Sequence, residues 1–398
     1  MLHGVSPQAV TDSGGWKQPL FDSLNRVEIS RAALRYNFRF CRARAGDAAV
    51  MAMVKTDGYG HGLVECARIF AGEGAAAFGV AEVAEGIALR EAGLEQPVFV
   101  LAGLLPGMIP ALLQYNLTPV VVDRLILPEL SRQAQRSGGE VGLHLKVDAG
   151  MGRQGCLPAA VPGLVREIEA LPALRLDGIM AHFPMTDDLD PANTRQVFDR
   201  FTDMIQDLAD DVDIVLTGCC FHIANSGGLL RYSMTRLDMV RPGIALYGYY
   251  PEGEPGRTGA GPEALQPAMR FVTRIIQVRN VPAGTALGYG RTFTTGRATT
   301  LAVLPVGYAN GYLRSLSNRA EVLVCGQRAP VVGRVSMNLT LVDVTDVEGP
   351  VEWGGEAVLL GRQGDETITA DELASWMDTI SYEVLCLFGN LNRRYYLD

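Results

Sequence analysis

From Ala49 to Gly62 the sequence reads AVMAMVKTDGYGHG: six apolar residues run into Lys55, and a glycine-rich turn follows at once. A lysine at the end of a buried strand, in a partly desolvated pocket, has its ammonium form disfavoured, and the free amine is suited to forming a Schiff base. Taken alone, Lys55 fits equally well as a surface lysine paired with Asp57. The glycines at 58, 60 and 62 permit close backbone approach and a helix start, but no Gly-Lys-Ser/Thr follows, so this is not a P-loop. ANSGG at 224–228 offers Asn225, Ser226 and backbone N–H groups before a short helix, a form that cradles phosphate. By itself it is an ordinary capped turn; its pairing with RPGI at 241–244 is what raises it. Metal binding finds weak support, because His3, His61, His144, His182 and His222 show neither a helical i, i+4 pair nor Cys/His ligand spacing. His144, inside an apolar run, reads as structural, and no G-x-S-x-G elbow is present.

The elements that must position these groups alternate from Arg26 to about Tyr249, short apolar runs against longer amphipathic stretches, as repeated βα units do. Eight strand candidates stand out: 49–54, 77–80, 97–103, 118–123, 141–148, 176–183, 213–219 and 239–248. Helix candidates lie between them at 82–93, 125–138 and 191–209. The expected fold class is α/β, an N-terminal (β/α)8 TIM-type barrel followed by a β-rich C-terminal domain. In such a barrel Lys55 follows strand one, Asp148 and Arg153 strand five, and His182 ends strand six. His222, Asn225 and Ser226 follow strand seven, and Arg241 and Gly243 belong to strand eight. All would meet at the C-terminal ends of the strands, where barrel enzymes build their sites. After Pro251 a Gly/Pro-rich stretch, EGEPGRTGAGPEALQP, leads into short β-type runs, with only ADELASWMDTISYEVL helical in character. The division is therefore 1–25 extension, 26–257 barrel and 258–398 C-terminal β domain.

With 48% hydrophobic and 20% charged residues the chain has the composition of a globular protein, which suggests neither disorder nor a membrane protein. A net charge of −9 without clustered Lys and Arg argues against nucleic acid as partner. Seven scattered cysteines do not form a disulfide framework and read as reduced thiols in the cytoplasm, and residues 1–20 lack the apolar core of a secretory signal.

The motifs VKTDGYGHG, LKVDAGMGRQG, the HF of IMAHF, FHIANSGG, VRPGIALYG, LGYGRTF, LPVGYANGY, VGRVSMN and ISYEV, in this order from Arg26 to Asp398, together resemble the alanine racemases. The resemblance implies pyridoxal 5'-phosphate (PLP) in a fold-type III barrel and a head-to-tail homodimer with shared sites. It makes Lys55 the Schiff-base lysine and Tyr289 the second catalytic base, one on each face of Cα, with Lys55 serving the D-substrate and Tyr289 the L-substrate. It links His182 to both Tyr289 and Arg241, and sets Arg241 against the pyridine nitrogen. Tyr59, Asn225, Ser226, Gly243, Ile244 and Tyr382 would hold the cofactor, chiefly its phosphate. Arg153 and the backbone at Met337 would meet the substrate carboxylate, and Tyr308 would line the access channel. Tyr289, Tyr308 and Met337 would come from the other subunit. Lys146 matches a lysine that is carbamylated in some members; unmodified, it could pair with Asp148.

The chain departs from the family at SMN, where Asn338 and Ser336 replace the usual Asp and Cys, which puts strict alanine specificity in question. The expected activity is interconversion of L- and D-alanine for peptidoglycan, with a broad-specificity amino-acid racemase as the alternative. A basic amino-acid decarboxylase would need an acidic residue at the pyridine nitrogen where Arg241 stands. A non-enzymatic PLP carrier would need no second domain with Tyr289.

Overall fold

The computed structural model describes residues 23–184, 191–212, 214–251 and 264–398. Most of the expected extension, residue 213 and residues 252–263, which include the expected division at 258, lie outside them. The first strand, β1 (Arg26–Ser30), alternates half-buried and buried positions. Ser30 then caps the helix Arg31–Ala45, its hydroxyl accepting from the Ala33 N–H at 3.1 Å.

Eight parallel strands follow: β2 (Ala49–Met53), β3 (Ala77–Val80), β4 (Val98–Val100), β5 (Thr118–Val121), β6 (Val141–Lys146), β7 (Leu174–Met180), β8 (Cys220–His222) and β9 (Met239–Val240). Each pairs with its neighbour in order from β2 to β8, and β9 closes back on β2. Between β8 and β9 the backbone bonds Asp238 N–H to Phe221 O (3.1 Å) and Arg241 N–H to Ala224 O (2.9 Å) nearly complete the barrel. Val50–Met53 of β2 and all of β3 and β4 are buried, as strands covered on both faces must be. Helices cover the outside, among them Val83–Glu91, Leu127–Ser137 and Pro191–Asp210, close to the expected spans.

Two strand expectations need correction. The seventh is Cys220–His222, beyond the 213–219 run, whose Val215 is 75% exposed. The eighth is only two residues long: Pro242 offers no N–H to a ladder, and Ile244–Tyr247 winds into a 3-10 turn.

The second sheet joins distant parts of the chain. Its strand β10 (Met269–Arg274) is antiparallel to both β1 and the strand Glu356–Gln363, while β1 is parallel to Arg393–Leu397. Thus Arg26–Ser30, expected to open the barrel segment, is a strand of the other sheet. A three-stranded sheet of Gln277–Val281, Thr299–Leu304 and Thr340–Asp343 lies alongside. The helix Ser381–Leu391 packs on the turn after β2, with Gly389 and Gly60 in such close approach that a Cβ on Gly389 would stand 1.8 Å from the Gly60 carbonyl oxygen.

Candidate active site

Beyond β2 the chain turns in the left-handed sense over five residues in a row: φ is 57° at Thr56, 52° at Asp57, 62° at Gly58, 52° at Tyr59 and 81° at Gly60. Three of these carry side chains, each at a cost of about 1–2 kcal/mol, so the surroundings must hold the turn. Gly58 N–H donates to Val54 O at 2.8 Å and Gly60 N–H to Thr56 O at 3.1 Å. Asp57 accepts from Leu63 N–H at 2.7 Å and is ion-paired with Arg394, and Tyr396 Oη donates to His61 O at 3.0 Å. The carboxylate of Asp57 is therefore taken by Arg394, and its pairing with Lys55, the plainer of the two sequence readings, is not formed.

Lys55 itself is half-buried. Burial lowers the pKa of its ammonium, the positive charge of Arg153 lowers it further, and Glu85 and Cys386 oppose. A free amine is thus more accessible here than on an exposed lysine.

At the same mouth, beyond the neighbouring strand β9, Arg241 is 3% exposed. Nη2 donates to Ala181 O (2.7 Å) and Ile223 O (3.1 Å) and lies 3.4 Å from His182 Nδ1, while Nη1 donates to His222 Nδ1 at 2.9 Å. An accepting Nδ1 requires the His222 proton on Nε2, which meets His144 Nδ1 at 2.8 Å; His144 is then protonated on Nε2. His144, which the sequence presents as merely structural, ends this ladder. Burial brings Arg241 down to about 10, so it remains a cation at neutral pH. The same burial, with the charge of Arg241, holds His182 and His222 far below their ordinary value and therefore neutral. His144 falls to about 4, mainly through burial.

The two loops expected to form an anion cradle do meet. Ser226 Oγ accepts from Gly243 N–H (2.9 Å) and Ala245 N–H (3.3 Å), and Asn225 Oδ1 accepts from Gly228 N–H (2.9 Å). Gly243 is required at its position, because a Cβ there would lie 2.3 Å from Tyr59 Oη. The Tyr59 ring stacks on Tyr247 at 4.9 Å and tilts toward Tyr382 at 6.1 Å. Ile244 beside them is buried. Hydroxyls of Tyr59 and Ser226, with the small Gly243 between, are a donor set that suits a phosphate, while the buried cation Arg241 and the depressed amine of Lys55 suit an aromatic aldehyde. The residues present therefore fit PLP.

Lys146, expected to pair with Asp148 when unmodified, instead donates to Gln154 Oε1 at 3.1 Å, while Asp148 accepts from the N–H groups of Gly150 and Gly152, both at 3.0 Å. Burial and the charges of Arg153, Arg241 and Lys55 bring Lys146 to about 8. Arg153 is exposed at the same mouth.

The remaining expected residues do not join this group within one chain. Tyr289 is 71% exposed, Met337 55% and Tyr308 39%. They share a face, because Tyr308 N–H donates to Ser336 O, Ala309 N–H to Met337 O, and the Gly288 position abuts Arg334. Among the described residues no group of His, Cys, Asp and Glu could hold a metal, and no helix is long and apolar enough to cross a membrane.

Residues 29–251 match the alanine racemase N-terminal domain, and residues 268–396 match the alanine racemase C-terminal domain. The chain is 40% identical over 377 residues to the alanine racemase of Thermodesulfovibrio yellowstonii, covering 94% of this chain and 97% of that one. Among solved structures, the alanine racemase from D-cycloserine-producing Streptomyces lavendulae superposes with a TM-score of 0.85 at 35% identity, covering 94% and 97% of the two chains. That of Bartonella henselae, with covalently bound pyridoxal phosphate, gives 0.84 at 26% identity over 94% and 100%. Two matched domains in series, full-length relatives and a shared architecture lead to one statement: the chain belongs to the alanine racemase family.

Proposed function

We propose that this protein interconverts L- and D-alanine with pyridoxal phosphate, supplying D-alanine for peptidoglycan in the cytoplasm. The observation that carries the reading is the meeting, at one barrel mouth, of a depressed lysine, a buried arginine and the Ser226–Gly243–Tyr59 cradle. When bound, the cofactor would withdraw electrons from the bonds to Cα of the amino acid.

Lys55 would hold the cofactor's carbonyl carbon and later exchange a proton with one face of Cα. Tyr289 would do so on the other face. Tyr59, Asn225, Ser226, Gly243, Ile244 and Tyr382 would hold the phosphate end. Arg241, protonated and locked by two carbonyls and His222, would face the ring nitrogen and would not surrender its proton there as a carboxylic acid could. That moderates electron withdrawal and favours return of the proton to Cα. His182, linked to Arg241, would orient the Tyr289 hydroxyl. Arg153 and the Met337 backbone would bind the carboxylate, and Tyr308 would line the approach.

Exposure of Tyr289, Tyr308 and Met337 on one face supports their acting in the site of a second copy, in a homodimer divided near residue 258 into barrel and β domain. A variant made monomeric should lose turnover; a fully active monomer by ultracentrifugation and assay would refute shared sites. Asn338, exposed beside Met337, favours a second reading in which other amino acids are also accepted. Incubating the PLP-loaded protein with each common L-amino acid and separating enantiomers decides. D-alanine alone supports the dedicated enzyme, comparable D-serine, D-lysine or D-arginine the broad one, and no D-product refutes both.

A further inference from the structure

Glu85, on the helix Val83–Glu91, gathers four backbone N–H groups on one carboxylate. Its Oε1 accepts from Thr56 at 2.5 Å and Asp57 at 3.3 Å, the two residues that follow Lys55. Its Oε2 accepts from Ala81 at 2.8 Å and Glu82 at 3.4 Å, where the chain leaves β3. Both ends must accept, and only a carboxylate has two accepting oxygens: a glutamine would turn its NH2 toward one pair of donors.

The left-handed turn gives this arrangement its purpose. Thr56 and Asp57 occupy backbone conformations that side chains disfavour, and hydrogen bonds to a charged acceptor are stronger than those to a neutral one. The Lys55 amine feels the charges of Arg153, of Cys386 on the helix Ser381–Leu391 and of Glu85 on the neighbouring helix, and its own charge acts on Lys146 and His182. Asp57, on the turn itself, is engaged by Arg394.

We propose that Glu85 is a positioning residue for Lys55: its two oxygens tie the turn after β2 to the exit of β3, fixing where the lysine nitrogen stands and presenting a carboxylate charge to it. The proposal rests on Lys55 being the cofactor lysine and a base toward Cα. Burial and Arg153 push the lysine toward its neutral form, and Glu85, with a smaller contribution from Cys386, opposes them.

The test compares wild type, Glu85→Gln and Glu85→Asp as PLP-loaded proteins. Two quantities are read: the pH midpoint of the visible absorption of the bound cofactor, which follows protonation at the Lys55 nitrogen, and the exchange of the Cα proton of D-alanine in D2O. Loss of a nearby negative charge favours the unprotonated nitrogen, so Glu85→Gln should move the midpoint to lower pH. Misplacement should slow exchange about 10- to 100-fold. Glu85→Asp keeps the charge but not the reach, so its midpoint should stay near wild type while exchange falls. A loaded Glu85→Gln protein with the wild-type midpoint overturns the proposal, whether or not its melting temperature falls. If Glu85→Gln retains no cofactor, Glu85→Asp decides, and wild-type exchange by it overturns the proposal. A wild type with neither a lysine-linked absorption nor exchange refutes the functional reading instead.

Discussion

Replacing Gly389 by alanine sets two effects of opposite sign against each other. Gly389 is the ninth residue of the eleven-residue helix Ser381–Leu391, and on helix propensity alone alanine would stabilise by about 1 kcal/mol. The added Cβ, however, would lie 1.8 Å from the Gly60 oxygen, 2.4 Å from its carbonyl carbon and 2.6 Å from its Cα. All three are backbone atoms and cannot rotate away, so the helix and the Lys55 turn must part by more than an ångström. Overpacking of this kind costs about 1–3 kcal/mol, and here it exceeds the propensity gain. The displaced elements carry Tyr382 and Cys386 on one side and Lys55 on the other, and a 1 Å misplacement at a reacting group costs about 10²-fold. Gly389→Ala should therefore melt a few degrees lower and racemise alanine about two orders of magnitude more slowly. Gly163, in the helix Val161–Ala170, is the matched control, since nothing lies within 4 Å of a Cβ there. Gly163→Ala should melt higher and turn over normally. Scanning calorimetry and a chiral rate assay read both variants. A Gly389→Ala protein as stable and active as wild type would refute the packing argument.

Tyr289→Phe should still exchange the Cα proton of D-alanine in D2O, through Lys55, while exchange from L-alanine is lost; equal exchange from both enantiomers, read by NMR, would count against the two-base assignment. Because the two enantiomers are equal in free energy, kcat/KM must fall equally in both directions, so exchange is the discriminating assay. Arg394→Ala removes the Asp57 ion pair, worth roughly 1–2 kcal/mol at this part-buried site, and should lower both melting temperature and turnover. Unchanged turnover would mean the left-handed turn stands without its clasp. His61 and His144 are held neutral, each at about 4 in the folded protein against an ordinary value near 6.5, burial being the main cause. The unfolded chain therefore takes up protons that the folded one refuses, and stability falls as pH drops from about 6.5 toward 4, by about 1.4 kcal/mol per unit for each. Urea midpoints should fall between pH 7 and pH 5, and less so in His144→Gln; equal midpoints would refute this.

Much of the barrel was legible because strands buried on both faces read as unbroken apolar runs, as in AVMAM and AFGV. The same rule misled at DIVL, an apolar run that lies on the surface at Val215, while the strand beside it carries the polar His222. RVEIS shows the period-two burial of a strand, but no local signal tells that its partners are Met269–Arg274 and Arg393–Leu397. The cradle was legible because its hydroxyl and glycines sit in two short motifs. Glu85 was not, since it works on backbone N–H groups, which leave no mark on the identity of the residues that carry them. Nor was the choice of Gln154 over Asp148 by Lys146, which depends on how the loop after β6 folds back.

The clasp on the Lys55 turn spans 337 residues of sequence, from Asp57 to Arg394, and the strand that carries Arg394 lies beside β1. During synthesis the barrel strands emerge in order and can pair as they appear, but the strand beside β1 and the two side chains that grip the turn, Arg394 and Tyr396, come from the ribosome long afterwards. A nascent chain can thus hold a formed barrel with its lysine not yet seated. Such long-range closure is slow, and it makes the gripping of the Lys55 turn a late event, complete only when the second sheet receives Arg393–Leu397.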